Sequence, residues 1–193
     1  MIDTNTILDV RDIGRRTFFG RLGGATLSAT AVALLAGRES LAAGTDDKAM
    51  AGDVTILNTA LGAEYEAVAA YQVGAESKLL KKPVLDLAVT FQGQHKEHAK
   101  VLSDTVKKLG GTPVTPKAKY DFPVSKLKTQ ADVLRFAASL EKGAVSAYLG
   151  AVPLFDNREL AKAAASIIGD EAMHWAILRQ ALGEVPVPAA FMS

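Results

Sequence analysis

The sequence predicts an all-α fold: an antiparallel four-helix bundle made of two helical hairpins joined by one long crossover. Three observations carry that reading. The chain is alanine-rich with only four Tyr and one Trp, and it has few runs alternating polar with β-branched residues, which favours helix over sheet. Apolar residues recur at helical spacing in four separate stretches. Only one of the three connections between those stretches is long, whereas simple up-and-down bundles have short loops throughout.

Residues 1–43 read as an export signal. Arg15 and Arg16 precede a moderately apolar stretch of about fifteen residues, too short for a comfortable membrane span, and SLAAG follows with small residues that fit cleavage after Ala42 or Ala43. The run Arg15-Arg16-Thr17-Phe18-Phe19 resembles the twin-arginine type. That resemblance implies passage of an already folded protein, through the twin-arginine export machinery, to the outside of a bacterial inner membrane. The competing reading is an uncleaved amphipathic or anchoring helix. Cleavage leaves no stable membrane span and a chain with equal numbers of basic and acidic residues.

A polar linker is expected over residues 44–52 and the bundle over 53–183. Leu57, Leu61, Val68 and Tyr71 mark the buried face of the first helix, which is expected to stop near Lys81, ahead of Pro83. Val84, Leu87, Phe91, Leu102, Val106 and Leu109 mark the second, ended by Gly110 and Gly111. Residues 112–128 hold three prolines and no sustained period, so they form the long crossover. Thr129 with Asp132 resembles a helix cap. The third helix then presents Val133, Ala137, Leu140, Ala144, Tyr148 and Phe155. Asp156 and Asn157 offer a turn and cap for the last helix, whose face is Leu160, Ala164, Ile167, Leu178 and Leu182, with Gly183 at its end. Residues 184–193 are a Pro-containing apolar tail with two candidate roles, lying along the bundle or binding a neighbour.

The balance of 22 basic and 21 acidic residues leaves no electrostatic footprint for nucleic acid or an anionic membrane surface. Without cysteine there is no disulfide framework, thiolate site or cysteine nucleophile, so any metal must be held by His and carboxylates.

Ionisable residues interrupt each apolar face: Glu64 on the first helix, His95 and His98 on the second, Glu141 on the third, Glu171 and His174 on the fourth. An unpaired buried carboxylate is costly unless neutralised or coordinated, so six such groups near one level need a shared partner. Their order repeats. GQHKEHAKVL (93–102) stacks on GDEAMHWAIL (169–178), placing His98 on His174 and His95 on Glu171. LGAEYEAVAAY (61–71) stacks on LEKGAVSAY (140–148), placing Glu64 on Glu141 and Tyr71 on Tyr148. Glu66 and Glu97 fall off their stripes and read as solvated surface charges, and Trp175 reads as packing.

These residues resemble the ferritin-like superfamily of di-metal carboxylate bundles, over about residues 53–182, and more narrowly its exported ferritin-like domain proteins. In that superfamily the first and third helices each give one Glu and the second and fourth each give an ExxH pair. The resemblance makes Glu64, Glu141, Glu171, His174 and His98 metal ligands. His95 departs from it, standing where a metal-bridging carboxylate is expected. Carboxylates bridge two hard ions and imidazole caps each, so the substitution removes a negative charge from the centre.

The implied function is redox chemistry of Fe or Mn, one ion or two, with oxygen or peroxide; in enzymatic form it is an oxidoreductase of ferroxidase, peroxidase or catalase type. Tyr71 and Tyr148 are candidate hydrogen-bond donors to the ligands or plain core aromatics. Two other classes compete. One is Zn or Mn binding without turnover, including a single ion on His95, His98 and a glutamate. The other is a non-catalytic envelope bundle for partner binding or assembly, its ionisable cluster a metal-free hydrogen-bond network. A homo-oligomer, dimer or shell, stays open to the sequence.

Overall fold

The computed structural model describes residues 47–192; the segment read as an export signal, residues 1–43, lies outside the described residues. Four helices, α1 (Asp47–Glu76), α2 (Lys82–Lys108), α3 (Gln130–Ala151) and α4 (Arg158–Ala181), are accompanied by single 3-10 turns at Val124–Lys126 and Val152–Leu154. Among the described residues there is no strand, and no helix is long and apolar enough to cross a membrane. α1 packs chiefly on α2 and α3 chiefly on α4, and the two hairpins meet along α1 with α3 and α2 with α4. Short connections within each hairpin and the extended crossover between them give the expected all-α bundle.

The helix ends follow from local chemistry. Thr129 and Asp132 form a reciprocal capping box, with Asp132 N–H donating to Thr129 Oγ1 at 3.2 Å and Thr129 N–H donating to Asp132 Oδ2 at 2.9 Å. Asn157 Oδ1 accepts from the N–H groups of Glu159 and Leu160 at the start of α4. α2 and α4 stop in the same way. Gly110 (φ 77°) and Gly183 (φ 75°) take the left-handed conformation that closes a Schellman turn, and the next residues, Gly111 and Glu184, donate back to Val106 and Arg179 carbonyls at 2.9 Å. Gly111 also sits where a Cβ would meet Val54 Cγ1 at 2.7 Å, so the chain leaves α2 pressed against α1.

Three boundaries differ from expectation. The linker expected over 44–52 is helical from Asp47, because nothing in that segment interrupts a helix and Asp47 favourably occupies the first turn. α1 ends at Glu76 rather than near Lys81; Lys78 (φ 60°) lies in the turn, and Pro83 sits inside the first turn of α2, where its missing N–H costs nothing. The buried face of α3 is Val133, Leu134, Ala138, Glu141, Val145 and Tyr148, so Val133 and Tyr148 lie where expected. Ala137, Leu140 and Ala144 flank it half-buried, and Phe155 is buried but lies beyond the helix, after Pro153.

Two anchors join distant segments. Asn58 donates to the Thr112 carbonyl and accepts from Val114 N–H, tying the start of the crossover to α1. Buried Asp53 accepts from the N–H groups of Asp156 and Asn157 at 2.9 and 3.0 Å, tying α1 to the α3–α4 turn. The core has two apolar layers. One is built around Leu57, Leu61, Leu102, Val106, Leu160 and Ile167. The other is built around Tyr71, Ala88, Phe91, Leu134, Ala138 and Leu178. Half-buried Trp175 packs against this second layer, with the Arg179 guanidinium 5.0 Å from its ring centre.

Candidate metal centre

The ionisable residues of the four helices occupy one polar level of this core. Glu64, His95, Glu141, Glu171 and His174 are each no more than 2% exposed and His98 is 6% exposed. Glu64 comes from α1, His95 and His98 from α2, Glu141 from α3, and Glu171 and His174 from α4. Three residues bring His98 onto the face of His95, and His174 onto that of Glu171, which is why each pair reaches the centre from one helix.

All six lie together. Their ligand atoms form two overlapping sets, Glu64, His95, His98 and Glu171 in one, and His95, Glu141, Glu171 and His174 in the other. His95 spans the level, its Nδ1 2.8 Å from Glu64 Oε2 and its Nε2 3.3 Å from Glu141 Oε1. His98 and His174 turn Nδ1 inward. His98 Nδ1 is 3.2 Å from Glu171 Oε1, and His174 Nδ1 is 3.4 Å from both Glu171 Oε2 and Glu141 Oε1. Although close, these two nitrogens and both Glu171 oxygens make no hydrogen bond.

The tyrosines act as donors across the bundle. Tyr148 on α3 donates to Glu64 Oε1 at 2.6 Å, and Tyr71 on α1 donates to Glu141 Oε1, so each half orients the glutamate of the other. Burial raises both phenols well above their ordinary pKa, and the charge of the accepting glutamate raises them further, so they stay protonated donors. Glu66 is half-buried and Glu97 exposed, and neither belongs to the level.

Pairing overrides desolvation at most of these groups. Burial alone would raise Glu64, but the hydrogen bond from His95 and the nearby charge of His98 hold it down at about 2; Glu141 is likewise held below the carboxylate range by His174 and His95. Burial would lower the histidines, yet Glu141 and Glu64 lift His95 to about 10, Asp170, Glu171 and Glu64 lift His98 to about 12, and Glu141 and Glu171 lift His174 to about 9. Glu171 is the exception: its burial dominates and its pKa rises.

Two residues behind the histidines were not singled out from the sequence. Gln94 Oε1 is 2.8 Å from His174 Nε2, and Asp170 Oδ2 is 3.4 Å from His98 Nε2 and 3.5 Å from His174 Nε2. Asp170 is held below its ordinary pKa: its partial burial acts upward and the neighbouring His98 outweighs it. The signal was present, since the repeat stacks Gln94 on Asp170, each just before a residue of the level.

The residues fit a cation on the structure's own terms. Four inward atoms with no hydrogen bond, two imidazole nitrogens and two oxygens of a fully buried carboxylate, face one another, and hard or borderline ions take this donor set.

A four-helix bundle with one inward glutamate on each of α1 and α3, and inward HxxH and ExxH pairs on α2 and α4, defines a protein of the ferritin-like class. Residues 52–184 match the family described as the ferritin-like domain, and the chain belongs to that family. Three solved structures share the fold. A conserved hypothetical protein from Mycobacterium tuberculosis superposes with a TM-score of 0.64 at 22% identity, covering 76% of this chain and 99% of that one. A ferritin-like, diiron-carboxylate protein from Bacillus anthracis gives 0.61 at 22%, covering 72% and 99%. The bacterioferritin-related protein of Bacteroides fragilis, a dodecameric thioferritin, gives 0.60 at 23%, covering 80% and 93%. No curated protein matches the sequence.

Proposed function

We propose that this chain is an exported metal protein in which Glu64, His95, His98, Glu141, Glu171 and His174 hold Fe or Mn for reaction with oxygen or peroxide. One observation carries the reading: Glu171 is completely buried, neither of its oxygens makes a hydrogen bond, and the inward nitrogens of His98 and His174 beside it lack hydrogen bonds as well. A carboxylate left so inside an apolar core is costly, and a cation among these atoms removes the cost. The diiron-carboxylate description of the Bacillus anthracis protein supports the same class of ion. Export rests on Arg15, Arg16 and the apolar stretch behind them.

Bound iron or manganese would supply the electrons for reducing oxygen or peroxide. The chain's own part is to orient and to exclude water. Tyr148 fixes Glu64 through the oxygen turned away from the histidines, and Tyr71 fixes Glu141 through the oxygen that faces His95 and His174. Asp170 lies beside the outer nitrogens of His98 and His174, and Gln94 bonds that of His174, which favours Nδ1 as the inward lone pair. The apolar layers around Leu61 and Phe91 close the level from both sides.

The test is elemental analysis after anaerobic loading with Fe(II) or Mn(II), followed by exposure to oxygen or peroxide. The reading expects stoichiometric metal and consumption of the oxidant. Metal without turnover leaves binding alone, including the zinc version. Trace metal only would reject the centre and favour the metal-free network, to which the bonds of His95 with Glu64 and Glu141 already contribute.

A further inference from the structure

We propose that His95 is a bridging ligand, offering Nδ1 to one ion and Nε2 to a second. The inference rests on the metal-binding reading above and specifies what the histidine does there. The two candidate ligand sets share only His95 and Glu171, and each shared residue turns one atom to each set: His95 Nδ1 to Glu64 and Nε2 to Glu141, Glu171 Oε1 to His98 and Oε2 to His174.

In the first set, His95 Nδ1 is 2.8 Å from Glu64 Oε2 and 3.6 Å from Glu171 Oε1, and His98 Nδ1 is 3.6 Å from Glu64 Oε2 and 3.2 Å from Glu171 Oε1. In the second, His95 Nε2 is 3.3 Å from Glu141 Oε1, and His174 Nδ1 is 3.4 Å from Glu141 Oε1 and from Glu171 Oε2. Four ligands about 2.1 Å from a tetrahedral ion stand roughly 3.4 Å from one another. These spacings fall around that value, and the four ligand atoms of each set all lie within 4.8 Å of one another, so each set is compact enough to take one ion.

Ring chemistry then decides the role. The two nitrogen lone pairs of an imidazole point away from each other, so no single ion can take both. His95 is also held between neighbours on more than one side, with the Tyr71 and His174 rings each 5.3 Å from its centre. A ring fixed with one nitrogen in each set serves two ions at once. The ring meets the ions as an imidazolium: the first ion displaces one N–H proton and takes the lone pair it leaves, the second displaces the other, and both protons leave to solvent. The resulting imidazolate carries one negative charge, the same charge as the glutamate it replaces. The deficit of negative charge implied by the sequence is thereby restored when both ions are present.

The ring sets the spacing of the ions. Two ions on opposite nitrogens of one imidazolate lie about 6 Å apart given metal–nitrogen bonds of about 2.0–2.1 Å, whereas ordinary two-metal sites hold their ions about 3.5–4 Å apart. The decisive measurement is on the full chain loaded with Co(II), read by anomalous scattering from crystals and by Co(II) stoichiometry in solution. Two ions per chain near 6 Å, one on each nitrogen of His95, are expected, with His95→Glu shortening the separation toward 3.5–4 Å. Two ions already that close in the wild type, or a single ion bound through one nitrogen of His95, overturn the bridge while leaving metal binding intact. No bound Co(II) rejects the metal-binding reading and the bridge with it. If His95→Glu fails to fold, the wild-type separation alone decides.

Discussion

In the first hairpin the residues behind and within the polar level are Gln94 and His95; at the same places in the second they are Asp170 and Glu171. Around that difference the halves are alike. α2 and α4 both end on a left-handed glycine that closes a Schellman turn, and each half donates a tyrosine hydroxyl to the glutamate of the other. The comparison separates framework from chemistry: the C-terminal turns and tyrosine donors are duplicated, while one position within the level and the one behind it have diverged. The divergence turns a symmetric set of carboxylates into one with an imidazole on one side and a carboxylate on the other.

The strongest break of the pattern is Glu171→Ala. Because this residue belongs to both ligand sets, its loss is expected to reduce bound Fe(II) or Mn(II) to trace, whereas Glu64→Ala or Glu141→Ala removes a ligand from one set only. Elemental analysis of the three variants checks this. Equal partial loss in all three would mean that the halves do not share Glu171.

The next effect is on pH. In the metal-free protein, His95 and His174 titrate at about 10 and about 9, above their ordinary 6.5. A raised folded-state pKa contributes stability that is fully present below 6.5 and is lost as pH rises through the folded values. Glu64, held at about 2, contributes stability present above its ordinary 4.5 and lost as pH falls toward 2. Metal-free protein is therefore expected to be most stable between about pH 4.5 and 6.5 and to weaken toward pH 9–10, as followed by thermal denaturation. A flat profile from pH 6.5 to 10 would contradict the pairing of these histidines.

Smaller effects sharpen the difference between the halves. Asp170→Asn removes the carboxylate facing the outer nitrogens of both histidines, and is expected to weaken metal affinity about 10–100-fold. Gln94→Leu removes a neutral acceptor from His174 alone and should weaken it less, by competition with a chelator. By contrast, Tyr71→Phe and Tyr148→Phe each delete a hydrogen bond to a buried carboxylate, and each is expected to cost about 1.5–3 kcal/mol in the metal-free protein. Chemical denaturation should find the pair nearly equal, because that feature is duplicated.

Much of this was legible in the sequence because it is local or repeated. The internal stacking of Glu64 on Glu141 and His98 on His174 needs no structure, and Thr129, Asp132 and Asn157 act within one turn of themselves. What was missed depends on neighbours distant in sequence or on weak patterns. Nothing local to Asp53 marks it in the sequence, because its partners lie beyond position 150. The middle of the α3 face, Ala137, Leu140 and Ala144, was misplaced because its run of alanines contrasts weakly with its surroundings, so the tertiary positions of Glu141 and Tyr148 define it better than hydrophobicity does. The exchange of tyrosine donors between halves was invisible, since spacing places each tyrosine beside its own helix's glutamate and only the bundle pairs it with the other.

The helix starts give the smallest contrast. α3 and α4 open on side-chain caps, from Thr129 and Asn157, whereas α2 opens after Lys81 with no side-chain cap and relies on Pro83 in its first turn. Thr129→Ala removes one half of a capping box at an exposed helix end and is expected to cost about 1 kcal/mol. Substituting Lys81 by Ala removes no cap and should cost nothing measurable at that end. The two ends lie close together, since Lys81 N–H donates to Gln130 Oε1 at 2.8 Å, so a loss at Thr129 that also loosened the start of α2 would show up in hydrogen exchange at both. Exchange confined to α3, with metal content unchanged, is the expected outcome. It would place the caps in the framework, apart from the centre, and leave the asymmetry of the centre to His95 and Glu171.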